Sequence, residues 1–198
     1  MSAGTFNFEI AFVVEDIDDP ADERIDRVAE LLPNFVLTSY GDLMVATVLV
    51  RAADAVEAGV FAAKAIESSG IRVLRTYQDL VTRQDIAERI GVTRQAVGNW
   101  VRGERHEDTP FPSAVSHVAG GIWLWGDVAA WARAHHYSVD DALFPSLSEH
   151  TRLDLLIAAG VRAVTVSTYV AAADITFRQR RSLPETGNSY QRSYALAS

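Results

Sequence analysis

The chain has 198 residues, of which 48% are apolar and 22% charged, enough to fill the core of one medium-sized or two small domains. It contains no cysteine, which excludes disulfides, thiolate zinc sites and cysteine nucleophiles. No apolar run reaches the roughly 18 residues of a membrane span, and the N-terminus lacks the pattern of a secretion signal. We therefore expect a cytoplasmic protein with no membrane partner.

The net charge of −8 is unevenly distributed along the chain. Residues 1–78 hold 6 basic and 13 acidic side chains, residues 79–137 hold 6 and 7, and residues 138–198 hold 6 and 6. All but one of the 18 basic residues are arginine, whose planar guanidinium suits both phosphate and guanine. The acidity of the whole chain therefore does not exclude a nucleic-acid contact in the middle segment.

The first 78 residues predict the order strand, helix, strand, strand, helix, strand. Apolar residues alternate along Phe6–Val14, as in a strand with one buried face. Asp18 and Asp19 before Pro20 predict the start of a helix that ends near Pro33. The remaining predictions are strands at 35–40 and 43–50 joined by a hairpin at Gly41-Asp42, a helix over 52–69 and a closing strand at 71–75.

This order is typical of a ferredoxin-like domain, in which helices cover one face of an antiparallel sheet. Such a fold does not define a function. It is compatible with a dimerisation surface, with a sensor for a small-molecule effector, or with a contact for another protein. The acidic residues between 15 and 23 are interpreted as a helix N-terminus rather than a metal site, because the helix dipole favours acids there. We expect no metal and no cofactor.

The segment that begins at Asp85 reads DIAERIGVTRQAVGNWVRGER, which predicts two short helices joined by a tight turn. Ala87 supplies the small side chain where the helices cross, and Gly91 supplies the positive φ of the turn. Thr82 with Asp85 predicts a capping box for the first helix, and Thr93 is predicted to cap the second. On these residues the segment resembles a helix-turn-helix.

The segment TPFPSAVSHVAGGIWLWGDVAAWARAH follows and is similar to the wing and third helix of excisionase-type (AlpA-like) and MerR-type DNA-binding domains. Gly120-Gly121 predicts a two-residue hairpin turn, and Trp123 and Trp125 flank the predicted return strand. Asp127 is predicted to cap the third helix. Together the two resemblances cover residues 79–137 and imply a winged helix-turn-helix.

The second helix of this unit, residues 93–102, is predicted to read DNA. Arginine fits the guanine edge, glutamine and asparagine fit adenine, and the first turn of a recognition helix enters the major groove. The predicted base contacts are Thr93, Arg94, Gln95 and Asn99. The predicted phosphate contacts are Arg83, Arg102, Arg105 and His117, of which His117 stands where related wings often carry arginine or lysine. Gly98 is predicted to leave an open gap on this surface.

The resemblance implies a sequence-specific transcriptional regulator that binds double-stranded DNA at the nucleoid, as a homodimer because one small unit contacts few bases. Two alternatives remain: an excisionase-like architectural protein for recombination, and a phage assembly or interaction protein that uses the helix pair for packing. We interpret the tryptophans as core residues rather than stacking platforms, and His135 and His136 as surface residues. The sequence contains no phosphate-binding glycine loop, metal-ligand spacing or nucleophile motif, so we do not expect an enzyme.

Residues 138–181 predict a mainly helical segment, because apolar residues recur at helical spacing from Leu153 onward. The β-branched run 164–170 leaves a strand as the alternative over 161–170. An amphipathic helix of this kind can pair with a second copy or dock onto its own domain. Residues 182–198 are small and polar and predict a flexible tail.

Overall fold

The computed structural model describes residues 4–105, 108–160 and 191–194, and these ranges form an α+β fold, as predicted. The described strands are β1 (Phe6–Val14), β2 (Val36–Tyr40), β3 (Leu43–Ala52), β4 (Val73–Thr76), β5 (Leu80–Val81), β6 (Trp123–Leu124) and β7 (Gln191–Tyr194). The described helices are α1 (Glu23–Leu31), α2 (Ala55–Ser68), α3 (Arg83–Ile90), α4 (Arg94–Val101), α5 (Trp125–Ala134) and α6 (Leu147–Ala158).

The main sheet has five antiparallel strands in the order β4-β1-β3-β2-β7. Strands β1 and β3 pair along their whole length, from Phe6 opposite Ala52 to Val14 opposite Met44. The hairpin between β2 and β3 turns at Gly41, whose φ is +62°. The first four strands and two helices follow one another in the predicted order.

The largest core lies between this sheet and helices α1 and α2. Alternate residues of β1 face it, so that Ile10 and Phe12 are fully buried. Alanines of α2, including Ala58 and Ala62, are also fully buried. Alanine adds little volume to this core, and the buried strand positions carry larger side chains such as Ile10 and Phe12.

Helix α1 begins at Glu23, later than the predicted start at residues 18–20. Its N-cap is Asp22, whose carboxylate accepts a hydrogen bond from the Arg24 N–H. The same carboxylate binds the Arg24 guanidinium, which also contacts Glu15 at 2.7 Å. These hydrogen bonds lower the pKa of Asp22 to about 2. The predicted start is wrong because this arginine, brought beside the end of β1, favours the later aspartate as cap.

Helix α6 packs against the N-terminal sheet. Leu143, ahead of it, exchanges 2.8 Å backbone hydrogen bonds with both Asn7 and Glu9 of β1. On α6 itself Leu153 is fully buried. Asp154 accepts hydrogen bonds from the N–H and hydroxyl of Thr76 on β4, at 2.6 and 2.8 Å. Of the two arrangements that the sequence allows, the structure has the helix docked on its own chain.

The C-terminal predictions have different outcomes. Within the segment 138–181 predicted to be mainly helical, the structure describes helix α6 at Leu147–Ala158. Residues 161–181 lie outside the described residues, and so does the choice between helix and strand over 161–170. The flexible tail predicted for 182–198 is wrong at Gln191–Tyr194, which pairs with β2 as an edge strand. Backbone pairing at an open sheet edge needs no apolar pattern, so the composition does not indicate it. In the described ranges no helix is long and apolar enough to cross a membrane.

Candidate nucleic-acid interface

Helices α3 and α4 form the two-helix unit that the sequence predicts. Thr82 and Asp85 make the predicted capping box at the start of α3, where the Thr82 N–H donates to the Asp85 carboxylate at 2.8 Å. Gly91 ends α3 with φ +77° and ψ +35°, in the left-handed region. The N–H of Val92 then donates to the Ala87 carbonyl at 2.9 Å. These local bonds set the angle at which α4 leaves α3.

A core of aromatic side chains packs against the buried face of α4. Trp100 on α4 is 2% exposed, and its ring centroid lies 5.0 Å from that of Trp131 and 4.9 Å from that of Tyr137. The indole N–H groups of Trp123 and Trp131 donate to backbone carbonyls of the loop before the wing at 3.0 Å. Trp125 is also buried. The interpretation of the tryptophans as core is therefore confirmed, and none of their rings is open for stacking on bases.

The first turn of α4 projects into solvent. Thr93, Arg94 and Gln95 are exposed, whereas Val97 is fully buried. Thr93 caps the helix as predicted, because its hydroxyl accepts a hydrogen bond from the Ala96 N–H at 3.1 Å. This cap stabilises the N-terminal turn of α4, from which the three exposed side chains extend.

The end of α4 is arranged differently from the prediction. Arg102 donates from Nε to Glu104 at 2.6 Å and from Nη2 to the Asn99 side-chain oxygen at 2.6 Å. Gly98 is buried, and a Cβ atom there would lie 3.3 Å from Nη1 of Arg102. The predicted open gap at Gly98 is therefore wrong: the arginine covers it. The hydrogen bond from Arg102 lowers the pKa of the Glu104 carboxyl, and the same bond raises the pKa of Arg102.

The wing turn is longer than predicted. Ser116 and Ile122 form the antiparallel bridge, and a 3₁₀ turn over Val118–Gly120 connects them. The Gly121 N–H donates to the Val118 carbonyl at 3.0 Å, which closes the turn. The two-residue turn predicted at Gly120-Gly121 is wrong, because the 3₁₀ geometry uses the residues before the glycines as well. His117 is exposed at the start of this turn.

Asp127 does not cap α5, contrary to the prediction. The helix begins at Trp125 with Leu124 as N-cap and no side-chain cap. The Trp125 N–H donates instead to the Asp79 carbonyl at 2.8 Å, so the strand β6 runs directly into the helix. Asp127 lies half-buried in the first turn, where burial and the nearby charge of Glu149 raise the pKa of its carboxyl.

Three separate pieces of chain meet around one cavity of about 250 Å³. We call it the recognition cavity, and its lining residues are Thr82, Arg83, Gln84, Arg94, Ala119 and Gly120. They come from the start of α3, the start of α4 and the wing turn. Arg83 is held over the Trp123 ring, with its guanidinium carbon 5.7 Å from the ring centroid. Among the described residues, the lining of this cavity thus has two guanidinium groups and no carboxylate.

The predicted site residues fall into distinct places. Arg83 and Arg94 meet at the recognition cavity, whereas Arg102 and Asn99 belong to the Glu104 network. Arg105 and His117 are exposed, and neither lies at the recognition cavity or in the Glu104 network. Sequence reasoning missed Gln84 and the wing residues Ala119 and Gly120. Gln84 could have been predicted, because it lies on the solvent side of the first turn of α3. The position of the wing turn relative to α3 and α4 could not be predicted from the sequence.

An ion pair at the start of this two-helix unit was also missed. Arg89 of α3 binds the Asp79 carboxylate through two hydrogen bonds of 2.6 and 3.0 Å and lies 4.8 Å from the centroid of the Trp125 ring. It connects the chain leaving β4 to helices α3 and α5. No group of three histidine, aspartate or glutamate side chains within the described ranges has a spacing that holds a metal ion.

Comparison of this chain with protein-family models, with curated proteins and with solved structures gives no match. The functional interpretation therefore depends on the geometry of the chain itself.

Proposed function

We propose that this protein is a sequence-specific transcriptional regulator that binds double-stranded DNA through a winged helix-turn-helix over residues 79–137. The observation that carries the proposal is the recognition cavity, where the start of α3, the start of α4 and the wing turn converge. Those three pieces are the ones that a winged helix-turn-helix presents to one face of a duplex. The strand order β4-β1-β3-β2 supports a ferredoxin-like assignment for residues 1–78.

The exposed first turn of α4 supplies the base readers in this proposal. Arg94 matches the O6 and N7 acceptors of guanine, and Gln95 matches the N7 and N6 groups of adenine. Thr93 contributes a methyl and a hydroxyl beside them. Asn99 lies further along the helix and is half-buried, with its side-chain oxygen already bonded to Arg102. Its amide nitrogen is the atom it offers to a base.

The phosphate contacts fall on the border of the same face. Arg83 lines the recognition cavity at the N-terminus of α3, where the helix dipole also favours an anion. Arg105 follows the end of α4, and His117 lies on the wing. Arg102 contacts phosphate only after it exchanges its carboxylate partner Glu104 for the DNA backbone. The exchange is between two exposed anions, so it costs little.

The charge distribution predicts weak nonspecific binding. Residues 79–137 hold 6 basic and 7 acidic side chains, so few counterions are released by binding to arbitrary DNA. Affinity then depends on base contacts and on two recognition helices acting together. We propose a homodimer that binds two half-sites in the cytoplasm, at the nucleoid, with the N-terminal domain available to the second copy or to an effector.

The proposal is tested by selection of the purified full-length chain on a random double-stranded DNA library. The Arg94→Ala, Gln95→Ala variant is run in parallel, with Arg72→Ala as the control that removes an exposed arginine from the N-terminal sheet domain. We expect an enriched palindromic motif that persists in the control and disappears in the double variant. No enrichment at low salt, together with large oligomers of uniform mass in mass photometry, would instead support an assembly role.

Base contacts and phosphate contacts are distinguished by measuring the affinity of each variant for the selected site and for random DNA. Arg94→Ala is expected to lose roughly 1–3 kcal/mol on the selected site and little on random DNA. Arg105→Ala is expected to weaken both equally, because phosphates carry no sequence information. Bending of the selected site in a circular-permutation gel would assign the protein to the architectural alternative.

A further inference from the structure

A further cavity of about 330 Å³ shares Arg83 and Gly120 with the recognition cavity. It is bounded by the end of α4, the loop that precedes the wing, and β6. We call it the aromatic cavity; the residues that matter to its chemistry are Val101, Phe111, Trp123, Arg83, Ser113 and His117. Its volume falls within the range of about 300–1,000 Å³ that small-molecule sites occupy.

The polar groups of the aromatic cavity are suited to an anion. Its described lining residues include a guanidinium from Arg83, an imidazole from His117 and a hydroxyl from Ser113, and none of them carries a carboxylate. Among the described residues Arg83 has no hydrogen-bond or ion-pair partner, and its Nε atom is buried without an acceptor. A guanidinium that is partly removed from water and has no counterion attracts an anionic group strongly.

The walls of the aromatic cavity favour a flat apolar body behind that anion. Phe111 and Trp123 contact each other edge to face, with ring centroids 6.0 Å apart, and Val101 lies beside them. A phosphodiester backbone offers no apolar surface to match these rings. An aromatic ring gains both burial and ring contacts there.

We infer that the aromatic cavity binds a small aromatic carboxylate, with its carboxylate on Arg83 and its ring against Phe111 and Val101. Arg83 also lines the recognition cavity. A carboxylate that engages this arginine takes it from the DNA phosphate, so the ligand weakens DNA binding. This last step rests on the proposed function, whereas the binding site itself does not.

The site is tested without DNA by isothermal titration calorimetry. The probe is indole-3-acetate, and its matched control is indole-3-acetamide, which keeps the shape and loses the charge. We expect the acetamide to bind about tenfold more weakly than the acetate. Arg83→Gln is expected to lose the same factor for the acetate, whereas Arg94→Gln, which changes only the recognition cavity, is expected to bind it as wild type does.

Ser113→Phe provides a second test that leaves Arg83 intact, because it fills the cavity from its exposed rim. It is expected to abolish acetate binding while circular dichroism shows a folded chain. Equal affinity for the two probes, no binding of the acetate, or undiminished binding in folded Ser113→Phe would overturn the site. A chain that binds no DNA but binds the acetate through Arg83 would reject the proposed function and retain the site.

Competition is then measured on the selected DNA site. Saturating indole-3-acetate is expected to weaken DNA binding of the wild type, and bound DNA is expected to weaken acetate binding by the same factor. DNA binding of Arg83→Gln is expected to be unaffected by the acetate, because this variant lacks the group for which the two ligands compete. Acetate binding with no effect on wild-type DNA affinity would overturn the sharing of Arg83.

Discussion

Gly121 and Trp123 pack so closely that a Cβ atom at Gly121 would lie 2.2 Å from Cη2 of the indole ring. The glycine also has φ +117°, a backbone conformation that side chains oppose. The wing turn can therefore close over the Trp123 ring only because this position has no side chain. Since the same ring supports the Arg83 guanidinium, the glycine also determines where that arginine stands.

We predict that Gly121→Ala destabilises the chain by roughly 2–4 kcal/mol, from backbone strain together with overpacking against the ring. Gly120→Ala is the matched control, because Gly120 also has positive φ, +87°, but open space where a Cβ would be. It is expected to cost roughly 1–2 kcal/mol. Both values come from urea unfolding followed by tryptophan fluorescence. Equal costs for the two variants would mean that the contact with Trp123 contributes nothing.

Asp154 fastens helix α6 to the sheet. Its carboxylate oxygen accepts both the N–H and the hydroxyl of Thr76, so Asp154→Ala leaves two donors at a buried threonine unsatisfied. We predict a loss of about 1–3 kcal/mol in the free energy of unfolding, with faster hydrogen exchange at the Thr76 amide. Arg152→Ala on the exposed side of the same helix should stay within about 0.5 kcal/mol of wild type. A wild-type exchange rate at Thr76 in Asp154→Ala would contradict this role.

His150 makes stability depend on pH. Burial lowers the pKa of its imidazole, against the opposing charges of Asp154 and Glu149. The unfolded chain takes up a proton below about pH 6.5 that the folded chain does not. Stability is therefore complete above that pH and is lost as the pH falls from there toward the lowered folded-state pKa.

We predict a flatter profile for His150→Gln between about pH 6.5 and 5, measured as midpoints of urea unfolding. Asp127, whose pKa burial raises, titrates in both proteins, so its contribution cancels in the comparison. His117→Gln, which removes an exposed imidazole, is expected to retain the wild-type slope. Identical slopes in wild type and His150→Gln would show that the buried imidazole is not the cause.

In the proposed DNA-binding function, Glu104 competes with DNA for Arg102. Glu104→Gln removes the carboxylate that the arginine binds, so we predict DNA binding about twofold to fivefold tighter at low salt, with a steeper salt dependence. Asp108→Asn removes a charge from the same exposed stretch without touching this arginine and controls for net charge. Fluorescence anisotropy on the selected site gives both values. If DNA affinity rose equally in the two variants, the ion pair between Arg102 and Glu104 would have no specific effect on DNA binding.

Patterns that act over a few residues determined much of this protein from sequence alone. The alternation along β1 places Ile10 and Phe12 in the core because successive strand residues face opposite sides. The capping box of Thr82 and the left-handed turn at Gly91 follow from hydrogen bonds and sterics within one or two turns. The exposure of Arg94 and Gln95 follows from the same local helix geometry.

Only the tertiary structure decided the features that join distant parts of the chain. Helix α6 docks on β4 through Asp154 and Thr76, which are far apart in sequence. The cap of α1 shifts to Asp22 because Arg24 finds a partner at the end of β1. The gap at Gly98 is closed by a side chain one helical turn later.

The recognition cavity is likewise a feature that only the tertiary structure decided. Arg83, Arg94 and Gly120 come from three separate elements, and no spacing in the sequence relates them. Their meeting depends on the aromatic core beneath and on Gly121 admitting the Trp123 ring. Local sequence selects helices, strands and turns because its interactions are short-range, whereas the packing of whole elements determines which side chains face one another across the site.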